Sequence, residues 1–133
     1  MITQISHLGI AVRSLDNQIP FYRDILNLEF HGIEDVPDQQ VRVAMFKIGE
    51  IRIELLEPTS DESPITKFLK QKGEGMHHIA YETDDIEKEI DKLKKSNVQL
   101  IDEIPRPGAK NTSIVFIHPH SSGKVLTEIC QHK

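Results

Sequence analysis

Several features that assign a protein to a special class are scarce or missing in these 133 residues. There is one cysteine, Cys130, so no internal disulfide can form, and its apolar run (V-L-T-E-I-C) predicts a buried core residue. No apolar run approaches the roughly 18 residues of a membrane span. The amino terminus lacks the basic start and apolar segment of a signal peptide, which makes the cytoplasm the expected compartment.

Positive charge is also in short supply, since the formal net charge is -5. A nucleic-acid surface would need a basic stripe, so this class of partner is not expected. A local basic pocket for a phosphate-bearing ligand is compatible with this net charge. The length fits one compact soluble domain, or two small half-domains that share a core.

The hydrophobic pattern predicts the same order of elements twice. The first copy has a strand, a helix that begins after Ser14 and contains Pro20, and three strands. These strands are predicted at Ile5–Val12, Leu28–Ile33, Val41–Ile48 and Glu50–Glu57. After a linker with a short helix that begins at Ser63-Pro64, the second copy has strands at Met76–Thr83, Val98–Ile101, Ser113–His118 and Lys124–Ile129, and a helix at Asp85–Ser96. The predicted fold class is therefore α+β, with one domain (1–133) made of βαβββ modules 1–60 and 74–133 joined by linker 61–73.

Polar residues match between the two copies inside otherwise apolar strands. His7 in H-L-G-I-A-V aligns with His78 in H-I-A-Y, and Glu54 in I-E-L-L aligns with Glu128 in T-E-I-C. Imidazole and carboxylate are ligands for zinc and other divalent first-row metals. Because the set holds no thiolate, it favours an open or octahedral site for cobalt, nickel, manganese or zinc.

A structural interpretation competes with this metal site. A single histidine in a strand is more often a hydrogen-bonded core residue, and alternation puts Arg52 and Glu54 on one face that could be solvated. The matching of two pairs favours the metal site. His77 points to the opposite face of its strand from His78, which predicts a structural role.

Longer motifs resemble the methylmalonyl-CoA epimerases, a family of the vicinal-oxygen-chelate superfamily that also includes glyoxalase I. The similar segments include H-L-G-I-A-V, S-P-I-T-K-F-L, G-M-H-H-I-A-Y-E-T-D-D-I, P-R-P-G-A and H-P-H-S-S-G-K-V-L-T-E-I, and they extend over nearly the whole chain. The resemblance implies a glyoxalase-like fold, with curved mixed sheets around a central metal site, and a homodimer. By position, His7, His78 and Glu128 match the family's metal ligands, and Glu54 matches a position that holds Gln or Glu. One divalent ion per chain is expected, with cobalt first and zinc, manganese or nickel as alternatives.

The reaction that this resemblance implies is epimerisation at C2 of methylmalonyl-CoA through a metal-stabilised enolate. Two carboxylates on opposite sides of the substrate would move the proton, namely Glu128 and the residue in a V-P-E-Q-like segment. This chain has V-P-D-Q there, so the second group would be Asp38, which reaches about 1 Å less than Glu. An ordinary turn residue is the competing interpretation of Asp38, and Glu34 and Asp35 are nearby substitutes.

The resemblance also makes an acyl-CoA the expected small-molecule substrate. Arg106, Lys110 and Lys124 are candidates to bind its phosphates, although exposed basic residues often only interact with solvent. Two other functions remain open at this point: a glyoxalase I-like lactoylglutathione lyase, which shares the ligand pattern, and a drug-binding resistance protein without catalytic metal. An inactive scaffold is a third possibility, to which only the Asp38 change points.

Overall fold

The computed structural model describes all 133 residues, and they divide into two compact units. The first unit contains His7–His77. The second unit contains His78–Lys133 together with Met1–Ser6. The amino-terminal segment therefore belongs to the unit that is otherwise formed by the later part of the chain.

Eight strands and three α-helices make up the two units. The strands are β1 (Ile2–Ala11), β2 (Glu29–Val36), β3 (Val41–Ile48), β4 (Ile51–Pro58), β5 (Gly75–Thr83), β6 (Arg106–Gly108), β7 (Thr112–Ile117) and β8 (Thr127–His132). The α-helices are α1 (Leu15–Pro20), α2 (Pro64–Lys72) and α3 (Ile86–Lys95). Shorter helical turns cover Phe21–Ile25, Pro37–Gln39 and Pro119–Ser121. No helix has both the length and the apolar character needed to cross a membrane.

The two units have the same strand order. In the first, the order is β2-β3-β4-β1, with β1 parallel to β4 and the other pairs antiparallel. In the second, β5-β8-β7-β6 repeats this order, with β5 parallel to β8, and residues Met1–Ser6 of β1 lie beside β5. The predicted α+β fold with a repeated strand–helix–strand–strand–strand order is confirmed.

A helix covers one face of each sheet, because alternate strand residues point to opposite faces. In the first unit, Leu15 and Ile19 of α1 pack with Phe46 and Leu55 in a buried cluster. The corresponding cluster of the second unit contains Ile86 and Ile90 of α3 and, from the strands, Val115, Ile117 and Ile129. Glu54 and Glu128 are the neighbours of Leu55 and Ile129, so their side chains point to the opposite face, away from the helices.

Pro20 alters the first helix, as its lack of an N–H predicts. The α-helical part ends at this residue, and the chain continues as a π-helical turn over Phe21–Ile25. The backbone N–H of Leu26 then donates to the carbonyl of Phe21 at 2.9 Å. The helix predicted from Ser14 to about Leu26 is therefore present as two consecutive segments, one α-helical and one π-helical.

The strand predicted at Val98–Ile101 is wrong. Only Leu100 makes an isolated bridge, to Ile117, and the three-residue β6 pairs with the edge of β7 that does not face β8. Proline flanks and interrupts this strand at positions 105 and 107, so its sequence does not resemble a strand interior. An edge position tolerates proline, because one side of the strand has no partner.

Candidate functional site

In the first unit, β1 and β4 bring His7 beside Glu54. Gly9 is the register partner of Glu54, and His7 lies two residues before Gly9, on the same face of the sheet. Nδ1 of His7 is 3.5 Å from Oε2 of Glu54, and these side chains are only 6% and 5% exposed. We call this pair the first half-site.

In the second unit, β5 and β8 bring His78 beside Glu128. Ala80 is the register partner of Glu128, and His78 lies two residues before Ala80. Nε2 of His78 is 3.3 Å from Oε1 of Glu128, and both side chains are 5% exposed. The edge of the Phe116 ring contacts the His78 ring, with centroids 5.6 Å apart. We call the His78–Glu128 pair the second half-site.

The two half-sites are built in the same way. Each has a histidine on the first strand of its module and a glutamate on the last strand. These two strands are parallel, and in each pair the histidine stands two residues before the register partner of the glutamate. The alignment of His7 with His78 and of Glu54 with Glu128 is therefore an equivalence in space within each unit.

The geometry of each half-site fits a divalent metal. With metal–ligand bonds of about 2.0–2.2 Å and angles between octahedral and tetrahedral values, adjacent nitrogen and oxygen ligands lie about 2.9–3.4 Å apart. The observed separations, 3.5 Å and 3.3 Å, are close to this range. A buried carboxylate needs a cation or hydrogen-bond donors nearby. A metal ion would be such a cation.

A buried cation accompanies the first half-site. Nη2 and Nε of Arg52 lie 3.0 Å and 3.3 Å from Oε2 of Glu54, the same oxygen that faces His7. The Arg52 side chain is 15% exposed. From strand alternation alone, the face that Arg52 and Glu54 share could have been exposed to solvent. In the structure, this face is largely buried.

A thiol stands next to the second half-site. Cys130 follows Glu128 by two residues on β8 and is fully buried, as its apolar run predicts. Its Sγ and a carboxylate oxygen of Glu128 lie within 4.8 Å of each other, so the thiol is a further possible donor. Its position two residues after Glu128 on a strand is the sequence signal for this proximity.

The candidates for the second acid/base group differ in their surroundings. Asp38 is exposed in the turn Pro37–Gln39, where the Gln39 side chain donates to Oδ2 at 3.1 Å. Asp35 is 71% exposed and pairs with Arg42. Glu34 is half-buried and is the register partner of Val43, which through β3 shares the face of Glu54.

The basic residues proposed for the substrate lie in loops or in short β6. Arg106 is half-buried and forms an ion pair with Asp102 at 2.9 Å. Lys110 lies between β6 and β7, and Lys124 lies before β8. Both lysines are exposed and have a left-handed backbone, with φ of 58° and 68°.

Comparisons with known proteins extend over nearly the whole chain. Residues 6–116 match the model of the Glyoxalase/Bleomycin resistance protein/Dioxygenase superfamily. An uncharacterised protein of Bacillus subtilis is 40% identical, over 99% of this chain and 94% of its own length. The ethylmalonyl-CoA/methylmalonyl-CoA epimerase of Cereibacter sphaeroides is 35% identical, over 98% of this chain and 99% of its own length.

Solved structures give the same result for the fold. A methylmalonyl-CoA epimerase in complex with methylmalonyl-CoA and NH4+ superposes with a TM-score of 0.95. It is 36% identical, and the match covers 99% of this chain and 96% of the other. The glyoxalase-like fold expected from the sequence motifs is confirmed.

Proposed function

Because this chain belongs to the glyoxalase/bleomycin resistance protein/dioxygenase superfamily, we propose that it interconverts the C2 epimers of methylmalonyl-CoA. Relatives that carry this activity in their names are about a third identical over nearly the whole chain. The single observation that carries the proposal is the pair of buried His–Glu half-sites with the same register. The proposal treats residues 1–133 as one domain of modules 1–60 and 74–133.

His7, Glu54, His78 and Glu128 are the proposed ligands of one divalent ion per chain. The mixed nitrogen and oxygen set suits cobalt first, and zinc, manganese or nickel as alternatives. An ion held there would supply Lewis-acid stabilisation for negative charge that develops on the substrate. The burial of all four side chains supports this use, because charge interactions are stronger where water is excluded.

Proton transfer at C2 needs one group on each side of the substrate. The C2 proton lies between a thioester carbonyl and a carboxylate, so its removal gives an enolate. Glu128 is the proposed base or acid on one side, and Asp38 on the other. The exposure of Asp38 leaves its carboxylate within reach of a substrate, and Glu34, on the face of Glu54, is the substitute.

The remaining part of the substrate is coenzyme A, whose phosphates require cations. Arg106, Lys110 and Lys124 are the proposed contacts. The two lysines are exposed to solvent, where a phosphate can approach them, while Asp102 holds the guanidinium of Arg106. A cytoplasmic homodimer is part of the proposal, because the family resemblance implies a dimer and the substrate is a coenzyme A thioester.

The decisive experiment is proton exchange in heavy water. The cobalt-loaded protein is incubated with one epimer of methylmalonyl-CoA in D2O, and C2 is followed by NMR and mass spectrometry. Deuterium should enter at C2 while the second epimer forms. Asp38→Asn should slow this exchange by about 10²–10⁴-fold with cobalt content unchanged, and Glu34→Gln should leave the rate within about threefold.

Two results would contradict the proposal. No exchange with methylmalonyl-CoA, together with turnover of the glutathione–methylglyoxal adduct, would identify a lyase of the glyoxalase I type. Less than one ion per chain, with ligand binding that survives chelation, would identify a drug-binding protein. A larger loss in Glu34→Gln than in Asp38→Asn would move the second proton-transfer role to Glu34.

A further inference from the structure

Arg52 is a cation in direct contact with the first half-site. Two of its nitrogens approach Oε2 of Glu54, at 3.0 Å and 3.3 Å, and Nδ1 of His7 is 3.5 Å from the same oxygen. The guanidinium of Arg52 therefore binds the same oxygen, Oε2 of Glu54, that faces His7. A pair at this depth is not an ordinary surface ion pair, since the carboxylate is 5% exposed and the arginine 15%.

The second half-site has no counterpart of this cation on its own strand. The residue two positions before Glu128 is Leu126, where Arg52 precedes Glu54 by the same two positions. Leu126 is half-buried, and its carbonyl accepts the N–H of Ile79 at 3.2 Å. The repeat thus keeps the histidine and the carboxylate in both modules, but it does not keep the basic residue two positions before the carboxylate.

The contact with Arg52 changes the charge of the donor set. Two glutamates alone would bring two negative charges, enough to neutralise a divalent ion. The charge of Arg52 offsets that of Glu54, so the loaded site is more positive than it would be without Arg52. A more positive site attracts the free carboxylate of a malonyl thioester and the charge that forms when C2 loses its proton.

We propose that Arg52 is a positioning residue that offsets the charge of Glu54, so that Glu54 acts as a neutral-like oxygen donor. This inference rests on the proposed function and adds a role for Arg52 beside the proposed metal ligands. Two nitrogens on one oxygen also fix the orientation of the Glu54 carboxylate toward His7.

A charge-balance cycle tests this proposal by cobalt titration calorimetry and by kinetics. Arg52→Gln should bind Co²⁺ about tenfold more tightly, because a repelling charge is removed, and should lower kcat about tenfold or more. Glu54→Gln should bind Co²⁺ about tenfold more weakly, because Arg52 is left unpaired beside the ion. The double variant R52Q/E54Q restores the charge of the set and should bind Co²⁺ more tightly than Glu54→Gln and turn over faster than Arg52→Gln, so that the two changes are not additive.

Arg42 provides a matched control. It pairs with Glu57 of β4 at 3.3 Å, in the same sheet, but Glu57 caps α1 through the N–H of Leu15 and faces no histidine. Arg42→Gln should leave the Co²⁺ affinity and kcat within about twofold. Arg52→Lys keeps the charge and should bind Co²⁺ within about threefold of wild type, even if Arg52→Gln folds poorly by circular dichroism.

The outcomes separate this proposal from the proposed function. A wild-type protein that binds no divalent ion or exchanges no C2 proton would overturn both. A wild-type protein that does both, with equal or weaker Co²⁺ binding in Arg52→Gln and no rescue in the double variant, would overturn the role of Arg52 alone. Tighter binding in the single variant with rescue in the double variant supports it.

Discussion

Two adjacent histidines have different surroundings at the residue scale. His78 lies in the second half-site, 3.3 Å from Glu128, whereas the ring of His77 packs edge-on against Phe68 of α2, with centroids 5.0 Å apart. Strand alternation sends the two side chains to opposite faces. The H-H dipeptide thus combines a candidate ligand with a residue that fixes the helix of the linker.

This pair gives a direct test of the metal site. His78→Ala should lower the affinity for Co²⁺ by at least about a hundredfold, because one of the four proposed ligands is removed and Glu128 loses its neighbour. His77→Ala is the matched control and should bind Co²⁺ like wild type. Elemental analysis and calorimetry measure both, and equal losses in the two variants would rule out the assignment.

The sequence predicts the ligand candidates but not their environment. The internal repeat singles out His7, Glu54, His78 and Glu128 as candidates, because polar residues recur at matched positions inside apolar strands. It does not predict the pairing of Arg52 with Glu54. Arginine and glutamate alternating with apolar residues are typical of a strand with a solvated face, and only the packed sheet shows that this face is buried.

At the scale of the element, β6 depends on close contact with β7. A Cβ atom added to Gly108 would lie 2.6 Å from Oγ1 of Thr112 and 2.7 Å from Cγ2 of Ile114. The hydroxyl of Thr112 also donates to the carbonyl of Ala109 at 2.8 Å, so it has little freedom to move. The P-R-P-G motif thus ends in glycine because the neighbouring strand occupies the space of a side chain.

Gly108→Ala is therefore expected to destabilise the protein by about 1–3 kcal/mol, the usual cost of overpacking a well-packed site. Urea unfolding followed by circular dichroism measures this loss. Ser113→Ala in the same hairpin adds no atoms and should change the free energy of unfolding by less than about 0.5 kcal/mol. Equal stability of the two variants would show that β6 can move away from β7 without cost.

Helix starts were predicted well because capping is local. Ser63 accepts the N–H of Ile65 before Pro64, and Asp85 accepts the N–H of Lys88. These signals need only three or four neighbouring residues. The short strand β6 was missed because its pairing depends on residues of β7 and not on its own propensity.

At the scale of the whole molecule, the proposed metal site would link metal binding to folding. The half-sites join strands that are far apart in sequence, so they exist only in the folded protein. A ligand that binds only the folded state stabilises it by about 2.7 kcal/mol at a free concentration of one hundred times Kd. For a domain of this length, such a gain raises Tm by roughly 8 °C.

Chelation should consequently lower the thermal stability of the cobalt-loaded protein by about this amount. Thermal unfolding by circular dichroism with cobalt and with EDTA measures the difference. His78→Ala should show almost no difference between the two conditions. An identical Tm for the wild type with and without cobalt would contradict a metal ion held by buried ligands.

The shared strand β1 has a consequence for the way this chain can be divided. Residues Met1–Ser6 belong to the second unit and lie next to β5, although the whole first unit follows them in the chain. A fragment cut at the linker and carrying only the later repeat would keep β8 beside β5 but would leave the other edge of β5 open, and such an edge can pair with other chains. The chain contains two copies of one pattern, yet the compact unit of the later copy also includes residues from the very start of the chain.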